Sequence, residues 1–212
     1  MAANWRILRT AFAPLAVAVL LVGAPGAAVA GDAEFGEGAR IFVERMAVNA
    51  ISSLTEPDLA KDERRRRFRA MMNEYFAFKG IAKWVLGRYW RKATDKQRDE
   101  YVQLFEDLMV ISYADRFERY SGETLAVERS EVRGGKDALV HSKLVRPNGQ
   151  KPIDVAWRVR GKDGVFRVVD IMVEGLSMGL TQQKEYASFI RQHGGKIENL
   201  LIELRKRIEQ AT

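Results

Sequence analysis

Apolar residues in this chain recur every three or four positions until about Tyr120, then every second position, and return to the longer period near the end. The first regime predicts helices. Phe35 to Leu54 carries Ile41, Val48 and Ile51 at helical spacing, and the Glu56-Pro57-Asp58 turn stops it, with Asp58 placed to cap a second helix. In that helix Phe68, Met71, Met72, Tyr75 and Phe76 make one broad apolar face. Gly80–Trp90 is a short, unusually apolar segment with two of the four tryptophans. Thr94-Asp95-Lys96-Gln97 has the form of a capping box, and a long helix is expected from there to about Tyr120, ended by Ser121-Gly122.

The second regime predicts strands at Leu125–Val132, Ala138–Val145, Ile153–Arg160 and Val165–Gly175. Gly134-Gly135, Pro147-Asn148-Gly149 and Gly161-Lys162-Asp163-Gly164 are short turn-forming links, which favour antiparallel neighbours. Val155, Trp157 and Val159 alternate with Ala156, Arg158 and Arg160, so one strand face is apolar. Two helices close the chain, Thr181–His193 and Lys196–Gln210. The expected architecture is α+β: a curved antiparallel sheet of about four strands with helices packed on one face, enclosing an apolar cavity. Met71, Met72, Met109, Met172 and Met178 are adaptable surfaces for such a cavity, or plain core.

The first thirty residues follow a different logic. Arg6 and Arg9 precede an apolar run from Ala11 to Val22, and the segment ends in Ala28-Val29-Ala30. Small residues three and one before a cut suit signal peptidase, so residues 1–30 are expected to be a signal peptide cleaved near Ala30, leaving 31–212 as one domain. Pro14 and Pro25 make a membrane anchor the poorer reading. Export removes most ATP- and nicotinamide-dependent functions. The chain has no cysteine, which excludes disulfides, thiolate metal sites and a cysteine nucleophile. The formal charge of +7 falls to +5 without Arg6 and Arg9, compatible with anionic lipids, acidic partners or an ordinary solvated surface. Four consecutive arginines, Arg64–Arg67, point around a helix and read as solvated surface, with phosphate or acidic-partner contact as the alternative.

Conventional chemistry is scarce. His141 and His193 lack metal-ligand spacing, and no nucleophile elbow, phosphate loop or dinucleotide fingerprint is present. Asp170 with His141 is the one pairing imaginable for proton transfer; otherwise Asp170 is a structural hydrogen-bond acceptor.

Two blocks carry a resemblance. Ile81-Ala82-Lys83-Trp84-Val85-Leu86-Gly87-Arg88-Tyr89-Trp90-Arg91, followed by Gln97-Arg98 and Tyr113-Ala114, is the first; Val168-Val169-Asp170-Ile171-Met172-Val173-Glu174-Gly175-Leu176-Ser177-Met178 is the second. With Phe189, Ile190 and Gly194-Gly195 they resemble the MlaC-type, toluene-tolerance family of periplasmic lipid-binding proteins, and a hopanoid-associated branch shares the general pattern. Met178 stands where that family favours Leu, and Leu176 where a β-branched residue is common.

The resemblance implies a periplasmic phospholipid carrier rather than an enzyme. It would hold acyl chains between sheet and helices and exchange lipid between an outer-membrane lipoprotein complex and an inner-membrane MCE-domain ABC transporter, maintaining outer-membrane lipid asymmetry. It implies no cofactor beyond phospholipid cargo, no nucleic acid and a monomer; an NTF2-like enzyme or a hopanoid-associated protein is the alternative. Hiding a whole tail from water is worth on the order of 10 kcal/mol at about 0.8 kcal/mol per methylene, and calls for a cavity of roughly 1,000 Å³. Period and resemblance together nominate Trp84, Val85, Tyr89, Phe105, Leu108, Met109 and Phe117 from helices, and Val140, Leu144, Val155, Trp157, Ile171 and Val173 from the sheet, as lipid contacts. Gly175 takes a backbone role at the strand exit Glu174-Gly175-Leu176-Ser177.

Overall fold

The computed structural model describes residues 26–147 and 149–211, with side chains from Gly31 onward. Residues 1–25 of the expected signal peptide lie outside the described residues, and the expected cleavage point at Ala30 falls inside the first helix, α1 (Gly26–Leu54). Ala39, Val43 and Met46 of α1 are buried, and Gly36 and Gly38 bring the helix down onto the sheet. A Cβ on Gly36 would lie 2.8 Å from Ser130 Oγ, and one on Gly38 3.0 Å from the Phe166 ring.

The helices α2 (Lys61–Tyr75) and α3 (Phe78–Leu86) follow, then a 3₁₀ turn over Gly87–Arg91. Ala60, not Asp58, occupies the N-cap of α2, and no side chain caps it; Asp58 turns the preceding loop with φ 59°. Asp and Asn tolerate that left-handed conformation, so the residue serves the turn instead of the helix. The capping box forms as read: the Thr94 side chain accepts from Gln97 N–H, and the Gln97 side chain accepts from Thr94 N–H. It opens α4 (Asp95–Ala114), which ends earlier than its apolar stripe suggested and tightens into 3₁₀ geometry over Asp115–Arg119.

Strands β1 (Thr124–Arg133), β2 (Asp137–Val145), β3 (Ile153–Lys162), β4 (Val165–Val173) and β5 (Leu176–Ser177) form one antiparallel sheet in sequence order. The last expected strand is thus two. Glu174 (φ 49°) and Gly175 (φ 78°) are both left-handed, the signature of a two-residue hairpin turn, and fold Leu176 and Ser177 back against Val173 and Met172. The helix α5 (Met178–Gln192) starts at once because Ser177 Oγ accepts from Leu180 N–H, and α6 (Ile197–Ala211) closes the chain.

The core has two parts. A helical cluster gathers Val85, Leu86, Tyr101, Phe105, Tyr186, Ile190, Leu201 and Leu204 from α3–α6. A second cluster sits between α1 and the sheet, around Val43, Val140, Val159 and Val168. The end of α2 is shared: Met72 enters the first, Met71 and Tyr75 the second. Directly after α2 the backbone bonds to the edge of the sheet. Phe76 pairs in parallel with Val168, and Ala77 N–H donates to Val168 O at 2.9 Å.

The arginine run is built into this frame instead of facing solvent. Buried Arg64 donates to the carbonyls of Leu54 and Leu59, Arg65 pairs with Asp115 at 2.8 Å, and Arg67 bonds Glu63, Glu56 and the Ser53 carbonyl. Arg66 alone of the four is exposed, and it still pairs with Glu63. Four successive positions point in four directions, and each meets a different neighbour.

Two glycines give opposite expectations. A Cβ on Gly179 would lie 2.1 Å from the Trp84 ring, whereas one on Gly80 meets nothing nearer than 4.0 Å. Gly179→Ala is therefore expected to cost about 1–3 kcal/mol by forcing the indole aside. Gly80→Ala is expected to be neutral or to gain about 0.5–1 kcal/mol from helix propensity. Urea denaturation of the two variants checks the contrast.

Candidate functional site

The site begins with strand alternation on β3. Val155, Trp157 and Val159 face α1, and Arg158, Arg160 and Lys162 face the other way. On β4 the alternation is reset once. The register shifts between Arg158 and Val159, so that Val159 pairs with Val168 but Arg158 with Asp170, leaving Val169 as the extra residue of a bulge. Val168 and Ile171, three apart, thereby both face the α1 cluster, while Val165, Arg167 and Val169 face the opposite side.

Over that opposite side stands α3. Between its residues Ala77, Gly80, Ile81 and Trp84 and the strand residues Arg158, Arg160, Lys162, Val165, Arg167 and Val169 lies an open cavity of about 600 Å³. That is within the usual range for ligand pockets and smaller than the roughly 1,000 Å³ expected from the sequence. One wall is apolar; the other carries four cations. Asp137 anchors two of them: it accepts from Arg160 Nε at 2.7 Å and from Arg158 Nε at 2.8 Å. These bonds, that to Arg160 first, hold the nearly buried Asp137 carboxyl below its ordinary range.

Trp84 is the one residue of the expected lipid-contact set that lines this cavity. It is 37% exposed, rests on Gly179, and its carbonyl accepts from Gln183 Nε2. Val85, Tyr89 and Phe105 are buried in the helical cluster, with Leu108 and Met109 packed against it. Phe117 packs on Phe68 with ring centroids 6.0 Å apart and borders a separate recess of about 470 Å³ near Arg64. Val140, Trp157 and Ile171 lie in one cross-strand row, Val155 and Val173 in the next with Ser142, and Leu144 beyond, so the register puts all six sheet residues on the α1 face. Eight of the thirteen expected residues thus belong to the two clusters, five to the helical one and three to the one beneath α1. Ile81, Val169 and the four cations were not in it, although the period-two arginines of β3 were visible in the sequence.

Asp170 is the structural acceptor expected: it takes hydrogen bonds from Ser177 Oγ at 2.6 Å, Ile171 N–H at 2.9 Å and Gly179 N–H at 3.1 Å. It thereby fixes the first turn of α5 beneath Trp84. His141 is elsewhere, on β2 beside Glu131, and burial together with Arg129 and Arg133 lowers its pKa. The ladder places Asp170 opposite Arg158 and His141 opposite Ala156, with β3 between them, so the two do not form a pair. Among the described residues no group of three or more potential ligand side chains could hold a metal ion, and no helix is long and apolar enough to cross a membrane.

A family model described as MlaC protein matches residues 44–206, a span that holds the whole sheet, α2 to α5 and every residue lining the cavity. The chain belongs to the MlaC family. The intermembrane phospholipid transport system binding protein MlaC of Haemophilus influenzae is 25% identical over 129 residues, 59% of each chain. Toluene tolerance protein ttg2D of Pseudomonas putida is 23% identical over 123 residues, 58% of this chain and 57% of its own. The matched part therefore spans less than two thirds of the length of either relative. A phospholipid-binding protein from Ralstonia solanacearum, solved in complex with a phospholipid, shares the fold with a TM-score of 0.71 over 82% of this chain and 98% of its own, at 22% identity.

In this MlaC-family chain the Asp137 cluster sets an acid limit. A carboxylate whose folded pKa is lowered adds stability above its unfolded value near 4, and that stability is lost as pH falls through the folded value. Asp137→Asn is expected to lose about 1–3 kcal/mol at neutral pH, with the deficit shrinking below about pH 4. Denaturation midpoints of both proteins between neutral and acid pH measure it.

Proposed function

We propose that this chain is a periplasmic carrier of phospholipid, a binding and transport protein and not an enzyme. Its signal peptide would be cleaved near Ala30. It would move lipid between an outer-membrane lipoprotein complex and an inner-membrane MCE-domain ABC transporter, and so maintain outer-membrane lipid asymmetry. The observation that carries the reading is one cavity with an apolar wall and a cationic wall, open to solvent, in a chain of the MlaC family. The names of the Haemophilus and Pseudomonas relatives, a phospholipid transport system binding protein and a toluene tolerance protein, point the same way.

Acyl chains enter against Ile81, Trp84, Val165 and Val169, where each buried methylene contributes about 0.8 kcal/mol. The apolar wall discriminates weakly between chains that differ by one methylene. The cavity is walled by α3, which is set between two non-helical joints: Ala77 with ψ 57° and Gly87 with φ 58°. Phospholipid fits better than a hopanoid, because a ring system without phosphate leaves the surplus positive charge of the cationic wall unmatched.

Native mass spectrometry of mature protein purified without detergent is expected to show about one diacyl phospholipid per chain, identified after organic extraction. Ile81→Asp or Val169→Asp is expected to lower lipid occupancy on the order of tenfold while circular dichroism stays native. Protein that takes up no lipid even from offered phospholipid vesicles contradicts the reading.

A further inference from the structure

The cationic wall carries more positive charge than the fold uses. The cavity lining holds Arg158, Arg160, Lys162 and Arg167 and no carboxylate. Asp137 offsets one charge of the Arg158–Arg160 pair, and Asp170, opposite Arg158 across β3 and β4, offsets a second, leaving a surplus of two. The register makes this less economical still, because Arg160 stands directly opposite Arg167 across β3 and β4. Like charges in that position destabilise a sheet. Arg167 gives one hydrogen bond, from Nη1 to the neighbouring Phe166 carbonyl at 2.8 Å, and Lys162 has no hydrogen-bond or ion-pair partner among the described residues. Arg158 and Arg160 are half exposed, with donors remaining beyond those that reach Asp137.

An anion between Arg160 and Arg167 relieves this repulsion, and guanidinium forks match the oxygens of a phosphate. Ile81, Trp84 and Val169 belong to the same cavity, so the fitting ligand joins an anionic group to an apolar one. A zwitterionic headgroup brings an ammonium into a field already two charges positive, whereas a net anionic headgroup brings none. Resting on the carrier reading, we infer that this wall is a headgroup seat that selects net anionic glycerophospholipids over zwitterionic ones, with the phosphate held by Arg160, Arg167 and Lys162.

The test offers delipidated mature protein vesicles of equal phosphatidylglycerol and phosphatidylethanolamine with matched acyl chains, then counts extracted lipid by mass spectrometry. Wild type is expected to enrich phosphatidylglycerol roughly tenfold, about the worth of one charge-assisted contact. Arg167→Gln is expected to bring the ratio near parity, and Lys162→Gln, with no partner to lose, to move it the same way. Both classes bound equally by wild type would overturn the headgroup seat and leave the carrier intact. No lipid from either class would overturn the carrier reading and the inference with it. Inorganic phosphate titrated calorimetrically separates the remaining source: Arg167-dependent phosphate binding without headgroup enrichment marks a free-anion site and rejects the seat.

Discussion

One backbone contact organises the molecule: Ala77 N–H to the carbonyl of Val168, with Phe76 paired beside it on the free edge of β4. A sheet edge is a row of unmet donors and acceptors, and here the chain itself meets part of it. The consequence is geometric. Before the contact, α2 shares the α1 side of the sheet through Met71 and Tyr75; after it, α3 stands over the other side. A helix tied to the sheet at one end, and bounded at the other by a left-handed glycine, lies across strand faces without packing flush against them.

The two faces could not serve this arrangement if they were alike. β3 is apolar toward α1 and cationic toward α3, and the bulge at Val169 supplies apolar surface on the cationic side without costing the α1 side its Val168 or Ile171. Close packing of one side gives rigidity, since Val140, Val159 and Val168 are fully buried there. On the other side Trp84 is held from beneath by Gly179 and from the backbone by Gln183. Asp170, which ties Ser177 and Gly179 to β4, makes the floor on which that indole rests. The cavity thus lies between a close-packed sheet and a propped indole.

Much of this was legible from residue pattern. Strand faces, the capping box at Thr94, the hairpin glycines and the structural role of Asp170 follow from local rules, because each depends on neighbours close in sequence. The misreadings share another cause. The residue type of Asp58 suits both a cap and a left-handed turn, and only the loop path decides between them. Arg64, Arg65 and Arg67 read as solvated because their partners, the Leu54 carbonyl, Asp115 and Glu56, lie as far as fifty positions away. Arg158 and Arg160 were visible as an alternating stripe, yet alternation shows only that a face is polar. That α3 covers it depends on the edge contact at Val168, which leaves no periodic trace. The family resemblance reached the right class of protein, while it and the period together nominated mostly residues that pack into the two cores.

The central claim is that lipid tails lie between α3 and the cationic face of the sheet. Photolysis of the mature protein loaded with a phospholipid bearing a diazirine in one acyl chain, followed by peptide mapping of the adducts, tests it most directly. The expected adducts fall on Ile81, Trp84, Val165 and Val169. Adducts confined to Val140, Val155, Trp157 and Ile171 would place the tails on the α1 side of the sheet and contradict the account.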